Sequence, residues 1–383
     1  MKTIKVISGL MILSSILLNN VYADPENQKE SAGVFKVNKG GKLYVNVNPG
    51  DVKIHTWDKN EVIVKVRGLE DDDEDNLEMR LENNTVFVKY KPHWGWGSEG
   101  EFSITIPVHF NVDVSTSGGD ILVNGDIHGD ANFNSMGGDI NVKNIKGKTK
   151  VNSQGGDIDV GDIDGGLSIS TMGGNIQVGN VKGDYSKVST MGGDINIGKV
   201  SSGLSAVTYG GNVNVNSVGG DADVRTMGGD IDLGNVSGSV KMETNGGNLA
   251  VKSASGKVKA MTHGGEIDLR GITGSVEATT TAGNIYVELD PSSKSHSKLY
   301  SNNGGITIGL KSSAKATIEA EIGVRGYWKS MRDEYKIYSE FDAKSYKTDE
   351  YSKSIKATYV INGGGGVIYA RSVNENITIK KVK

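Results

Sequence analysis

The stretch TMGGNIQVGNV, starting at Thr171, recurs almost unchanged as TMGGDINIGKV from Thr190 and as TMGGDIDLGNV from Thr226. The Thr or Ser two before each Gly pair stands at Thr116, Ser135, Ser153, Thr171, Thr190, Thr208, Thr226, Thr244, Thr262 and Thr280, in steps of 19, 18, 18, 19, 18, 18, 18, 18 and 18. A fixed period of this length is the signature of a solenoid, because each copy is one structural unit that buries its apolar face only against its neighbours.

Aligned on that hydroxyl, the copies form columns. Five residues on stand Ile121, Ile140, Ile158, Ile176, Ile195, Val213, Ile231, Leu249, Ile267 and Ile285, and two further on another aliphatic follows in every copy. Two before the hydroxyl come Val114, Phe133, Val151, Ile169, Val188, Ala206, Val224, Met242, Ala260 and Ala278. Apolar residues alternating with polar ones predict short strands with one buried face, and nothing in the columns has a helical period. A third apolar column, Ile127 to Ile272, precedes a Gly by two or three residues, and the two longer steps place their extra residue in turns near Val123 and Val200. The expected architecture is therefore all-β: a single-chain parallel β-solenoid (β-helix) of about 18 residues per rung, with like strands stacked about 4.8 Å apart. Ten such rungs would stack to roughly 50 Å.

Gly accounts for 54 of 383 residues, about twice the usual share, and the period says where the excess goes. Each Gly pair marks a bend, either through positive φ or at a corner where a Cβ would clash. The residue after the pair runs Asp120, Asp139, Asp157, Asn175, Asp194, Asn212, Asp230, Asn248, Glu266, Asn284, so charged and neutral groups alternate strictly from Asp157 onward. Interleaved Asn separates stacked carboxylates and offers amide ladder bonds. Gly137, Gly138 and Asp139, Gly173, Gly174 and Asn175, Gly192, Gly193 and Asp194, and Gly228, Gly229 and Asp230 are accordingly expected to form a structural turn ladder. A calcium ladder is the alternative for this column. The GGxGxD nonapeptide of calcium solenoids is missing from the chain, so no cofactor and no metal site are expected, with calcium the one weak possibility. An ice-binding face on the Thr column is disfavoured because the hydroxyls share parity with buried residues. Met136, Met172, Met191 and Met227 share a column with Gln154, Tyr209, Asn245, His263 and Thr281, which argues for edge filling over a metal-binding stripe.

The flanks differ from the repeat. Residues 1–23 combine a basic start, an apolar run and the small-residue pattern Val21-Tyr22-Ala23, which predicts a signal peptide and export to periplasm, cell surface or medium. No Cys follows the run, so no lipid anchor is expected, and no later apolar run is long enough to cross a membrane as a helix. Loss of Lys2 and Lys5 takes the net charge from −4 to −6, and without a clustered basic surface nucleic acid is excluded as a partner. A chain of no Cys has no disulfides to lean on. After a linker at 24–33, residues 34–114 alternate as an N-terminal antiparallel β cap, with a turn at Asn48-Pro49-Gly50-Asp51. Solenoid repeats fill 115–311, an irregular aromatic and charged excursion follows at 312–361, and solenoid strands resume at 362–383. Exposed aromatics stack on sugar rings or anchor protein interfaces, so Trp94 and Trp96 in HWGWGSEGE, with Tyr327 and Trp328 in the excursion, are the candidate contacts for a protein or glycan surface ligand.

GDVKIHTWDKNEVIVKV, ITIPVHFNVDVSTSGGDI, the serial GGDI/GGNI copies and the closing INGGGGVIYARSVNENITI together resemble a bacterial family of Gly-rich β-strand-repeat domains described as candidate adhesins, of otherwise unknown function. The resemblance covers nearly all of the chain after residue 23 and implies an exported β-solenoid. It carries no catalytic or ligand residues. Polysaccharide-active β-helical enzymes need paired carboxylates in a groove built by protruding loops. Here the turns are short and uniform, and His55, His93, His109, His128, His263 and His296 fall in no motif. The expected function is non-catalytic: an adhesin or envelope scaffold, with a periplasmic sensing or envelope-maintenance module that binds a protein partner as the alternative.

Overall fold

The computed structural model describes residues 30–70, 74–92, 100–291, 295–326 and 333–382. Among these the secondary structure is β throughout, apart from one 3-10 turn at Glu74–Asn76. The chain forms two compact units, Met1–Gly174 and Asn175–Lys383.

In the first unit each repeat places one strand before its Gly corner and one after it. The upstream strands Asn111–Thr116, Ala131–Ser135, Thr149–Ser153 and Leu167–Ser170 stack in parallel, in register along the aligned columns. The downstream strands Ile121–Asn124, Ile140–Val142 and Ile158–Val160 do the same. Short segments at Ile127, Ile145–Lys146 and Ile163–Asp164 form a third side. Every column residue expected to be apolar and inward is buried. Phe133 fills the centre of its rung where the neighbouring copies use Val114 and Val151.

The region before the repeat mixes two kinds of pairing. Lys42–Val47 and Gly50–Trp57 make a rung of their own, as do Thr85–Tyr90 and Gly100–Pro107. The 42–57 rung lies between the 85–107 rung and the first repeat, parallel to both. Antiparallel strands then close the end. Leu77–Glu82 runs against Thr85–Tyr90, and Glu61–Arg67 runs against Gly100–Pro107 and carries Glu30–Lys36 on its other side.

In the second unit two stacks of the same kind run from Ser186–Ser189 to His296–Ser301 upstream and from Ile176–Val178 to Ile306–Lys311 downstream. Gly366–Val373 and Ile377–Val382 form the closing rung on top of 296–311. The segment between stacks two further parallel strands on the far side of that rung. Ala316–Gly323 runs parallel to Gly366–Val373 and antiparallel to Ser354–Ile361, which pairs with Ala343–Asp349. Ile337–Ser339 lies beside Ile377–Val382. Antiparallel strands thus end this unit as well, the arrangement that hides a parallel stack's open edge.

Candidate functional site: the Gly corner and the trough beside it

The corner is held by a hydroxyl that both gives and takes. Thr226 Oγ1 donates to the carbonyl oxygen of Gly211 one rung earlier at 2.8 Å and accepts the N–H of Gly229 in its own rung at 3.2 Å. The same pair of bonds forms at Ser153, Thr208, Thr244 and Thr262. All ten hydroxyl residues are at most 5% exposed. A buried site that needs one donor and one acceptor on a short side chain accepts only Ser or Thr, and it leaves no hydroxyl free to order ice.

The two glycines of a pair have different jobs. A Cβ on Gly229 would stand 2.1 Å from the Gly211 carbonyl oxygen, and on Gly247 1.9 Å from that of Gly229. On Gly228 or Gly246, the first of each pair, it would stand 3.3 Å from its nearest neighbour. None of these residues has positive φ, so close backbone approach and not left-handed geometry reserves the second position for Gly. The chain itself puts Ala282 in the first position and keeps Gly283 in the second.

The next column is also committed. Asp139 N–H donates to Asp120 Oδ1 and Asp157 N–H to Asp139 Oδ1, both at 2.8 Å. In the second unit Asp194, Asn212, Asp230, Asn248 and Glu266 repeat this, each backbone N–H reaching the side chain one rung before at 2.6–2.9 Å. The ladder therefore runs mainly from backbone N–H to side chain, with an amide bond where Asn284 Nδ2 donates to Glu266 Oε1 at 3.0 Å. Among the described residues no group of three or more His, Asp or Glu is placed to hold a metal ion.

What the corner leaves over is the column between hydroxyl and Gly pair. Met136, Met172, Met191, Tyr209 and Met227 are each about half exposed. Each follows a buried hydroxyl residue and precedes an exposed Gly, so the chain is turning out of the core at this position. Beside the column, in each unit, lies a shallow trough. In the first unit it is lined by Asn46, Asn48, Ser115, Asn134, Asn152 and Gln154 around Met136, with no charged residue. Asn152 Nδ2 donates to Asn134 Oδ1 at 2.8 Å. In the second unit the lining combines Tyr209, Met227 and His263 with Asp223, Arg225 and Glu243. Arg225 lies 3.0 Å from Asp223 and 3.7 Å from Glu243, so its charge is balanced within the wall. Such a surface presents apolar and hydrogen-bonding groups to a ligand. Nothing in the sequence singles out the outward wall residues, whose only signal is their spacing of one and three before the hydroxyl. The aromatic contacts expected at Trp94, Trp96, Tyr327 and Trp328 lie outside the described residues.

The solved structures similar to this chain include a candidate adhesin from Bacteroides fragilis NCTC 9343, 11% identical over 94% of this chain and 99% of its own, with a TM-score of 0.24. A candidate adhesin from Parabacteroides distasonis ATCC 8503 is 10% identical over 74% and 98%, TM-score 0.30. A candidate lipid binding protein from the same strain is 15% identical over 74% and 97%, TM-score 0.24. Scores this low carry no argument about function. No curated protein matches the chain. The family model described as Toastrack DUF4097 matches twice, at residues 40–233 and 167–338, overlapping as a repeat would. Those two matches take in the Gly corners and the troughs described above, and the chain belongs to the Toastrack family.

Proposed function

We propose that this chain is exported and acts without catalysis, as an adhesin or envelope scaffold that offers the trough beside its Gly corners to a protein or glycan. The observation that carries the reading is the half-exposed column of Met191, Tyr209 and Met227. Every other corner position is buried or bound to the next rung, whereas this one displays large apolar side chains on a rigid backbone, the character of a contact surface. The Gly and Asx residues of the corner serve the coil, and Trp94, Trp96, Tyr327 and Trp328 are further contacts on the same reading. Replacing Met191, Tyr209 and Met227 together by Ser is expected to weaken binding to bacterial cells or to arrayed glycans while the far-UV CD stays native. Binding that survives both this variant and Trp94→Ala with Trp96→Ala defeats the proposal.

A further inference from the structure

Among the described residues, three of the outermost strands carry devices that discourage pairing with another chain. In the first unit, Leu77–Glu82 places Glu78, Arg80 and Glu82 on alternate positions. In the second, Ala343–Asp349 has Lys344, Lys347 and a bulge between Ala343 and Ser345, and Ile337–Ser339 is only three residues long. The edge at Glu30–Lys36 has none of these. Its five central residues, Ser31 to Phe35, are uncharged, and Val34 is 64% exposed.

The backbone phase of this strand follows from one bond. It pairs antiparallel with 61–67, from Glu30 opposite Arg67 to Lys36 opposite Glu61, and Val37 N–H donates to Asn60 O at 3.1 Å in the same register. Antiparallel pairing turns the N–H and C=O of alternate residues to one side. Residues 31, 33 and 35 therefore direct theirs toward 61–67, and 30, 32, 34 and 36 direct theirs to the open edge. Among the described residues its paired strand is Glu61–Arg67.

We propose that Glu30–Lys36 pairs antiparallel with the same strand of a second copy, about a two-fold axis at Gly33. In that register the outward groups of 30 and 32 meet those of 36 and 34 in the second copy, as an antiparallel ladder requires. Glu30 then faces Lys36 of the second copy. Across the four strands the charges read Arg67, Glu30, Lys36 of the second copy, Glu61 of the second copy, alternating in sign throughout. Val34 gains cover from Ala32. A slip of two residues keeps the hydrogen-bond phase but places Lys36 opposite Ala32 and leaves Glu30 without a partner. Gly33 faces its own copy at a non-hydrogen-bonded position, where the two Cα atoms come to about 4.5 Å. A seven-residue edge buries less than a standard interface, so the dimer forms in proportion to concentration.

Sedimentation of the purified protein over a wide concentration range tests this. The weight-average mass is expected to climb toward twice that of the monomer. Val34→Pro removes an N–H that the strand's own sheet does not use, so it should keep the native CD spectrum and remain monomeric. The chain has no Cys, so single Cys variants report register without interference. With oxidised glutathione, Gly33→Cys should give a disulfide dimer and Ala32→Cys and Val34→Cys should not, since only residue 33 meets itself within bonding distance. A mass that stays monomeric throughout, a dimer that persists in folded Val34→Pro, or equal cross-linking at all three positions overturns the proposal.

Discussion

The sharpest test of how the corner is built compares Gly228→Ala with Gly229→Ala, adjacent residues of identical type in one turn. A methyl on Gly229 would lie 2.1 Å from the oxygen and 2.4 Å from the carbon of the Gly211 carbonyl. Those are backbone atoms, so no side chain can swing aside, and reaching an ordinary contact means prising two rungs apart. Three bonds at that corner resist: Thr226 Oγ1 to Gly211 O at 2.8 Å, Gly229 N to Thr226 Oγ1 at 3.2 Å and Asp230 N to Asn212 Oδ1 at 2.8 Å. Each contributes about 1 kcal/mol net, and more where the group left behind is buried. Gly229→Ala is therefore expected to lose about 2–4 kcal/mol in urea unfolding followed by far-UV CD. On Gly228 the methyl meets Gly210 O at 3.3 Å, a clash that a shift of a few tenths of an ångström relieves. Because φ there is not left-handed, the restriction of the unfolded chain offsets that strain, and the variant should stay within about 0.5 kcal/mol of the parent. Equal losses at both positions, or a neutral Gly229→Ala, would refute the claim that inter-rung approach reserves the second glycine.

Ser186 Oγ is buried without a hydrogen-bond partner, so Ser186→Ala should stabilise the protein by about 1 kcal/mol in the same assay; a loss of stability would show that the hydroxyl has a role in the core. Burial, and then the Glu321 carboxylate to which it donates at 2.8 Å, push the Tyr369 phenol up to about 12. The stability this neutral phenol contributes is complete below its ordinary value of 10.0 and is lost as pH rises through about 12. Tyr369→Phe should accordingly remove a late component from the tyrosinate absorbance titration, and an unchanged titration would contradict the burial. Chelator is expected to leave the melting temperature unaltered, because the Asx oxygens that a calcium ladder would use already accept backbone N–H groups; a lowered melting temperature would restore calcium as a ligand.

The coil and its core were legible because an 18-residue period states both which residues stack and which face inward. The corner was legible only to its location. Whether Gly serves positive φ or close approach depends on the distance between rungs, which no single copy encodes, although Ala282 in the first position is a clue. The N-terminal end hid more. Asn48-Pro49-Gly50-Asp51 suggests an isolated hairpin turn, yet it is a corner in disguise. Thr116 Oγ1 donates to Gly50 O at 2.8 Å and Asp120 N–H to Asp51 Oδ1 at 2.9 Å, so Gly50 and Asp51 act as the second glycine and the Asx residue of a rung. Strand alternation alone could not reveal that the 42–57 rung lies between 85–107 and 111–124, because alternation specifies a face and not a neighbour. The half-exposure of the Met column was not legible, because apolar composition does not say which way a residue at a corner turns.

The proposal that this chain is an exported surface for adhesion is tested most directly by protease accessibility on intact producing cells, with a periplasmic protein as internal control. Digestion of the chain while the control is spared is the predicted result. Full protection of both would contradict adhesion and place the trough's partner inside the envelope.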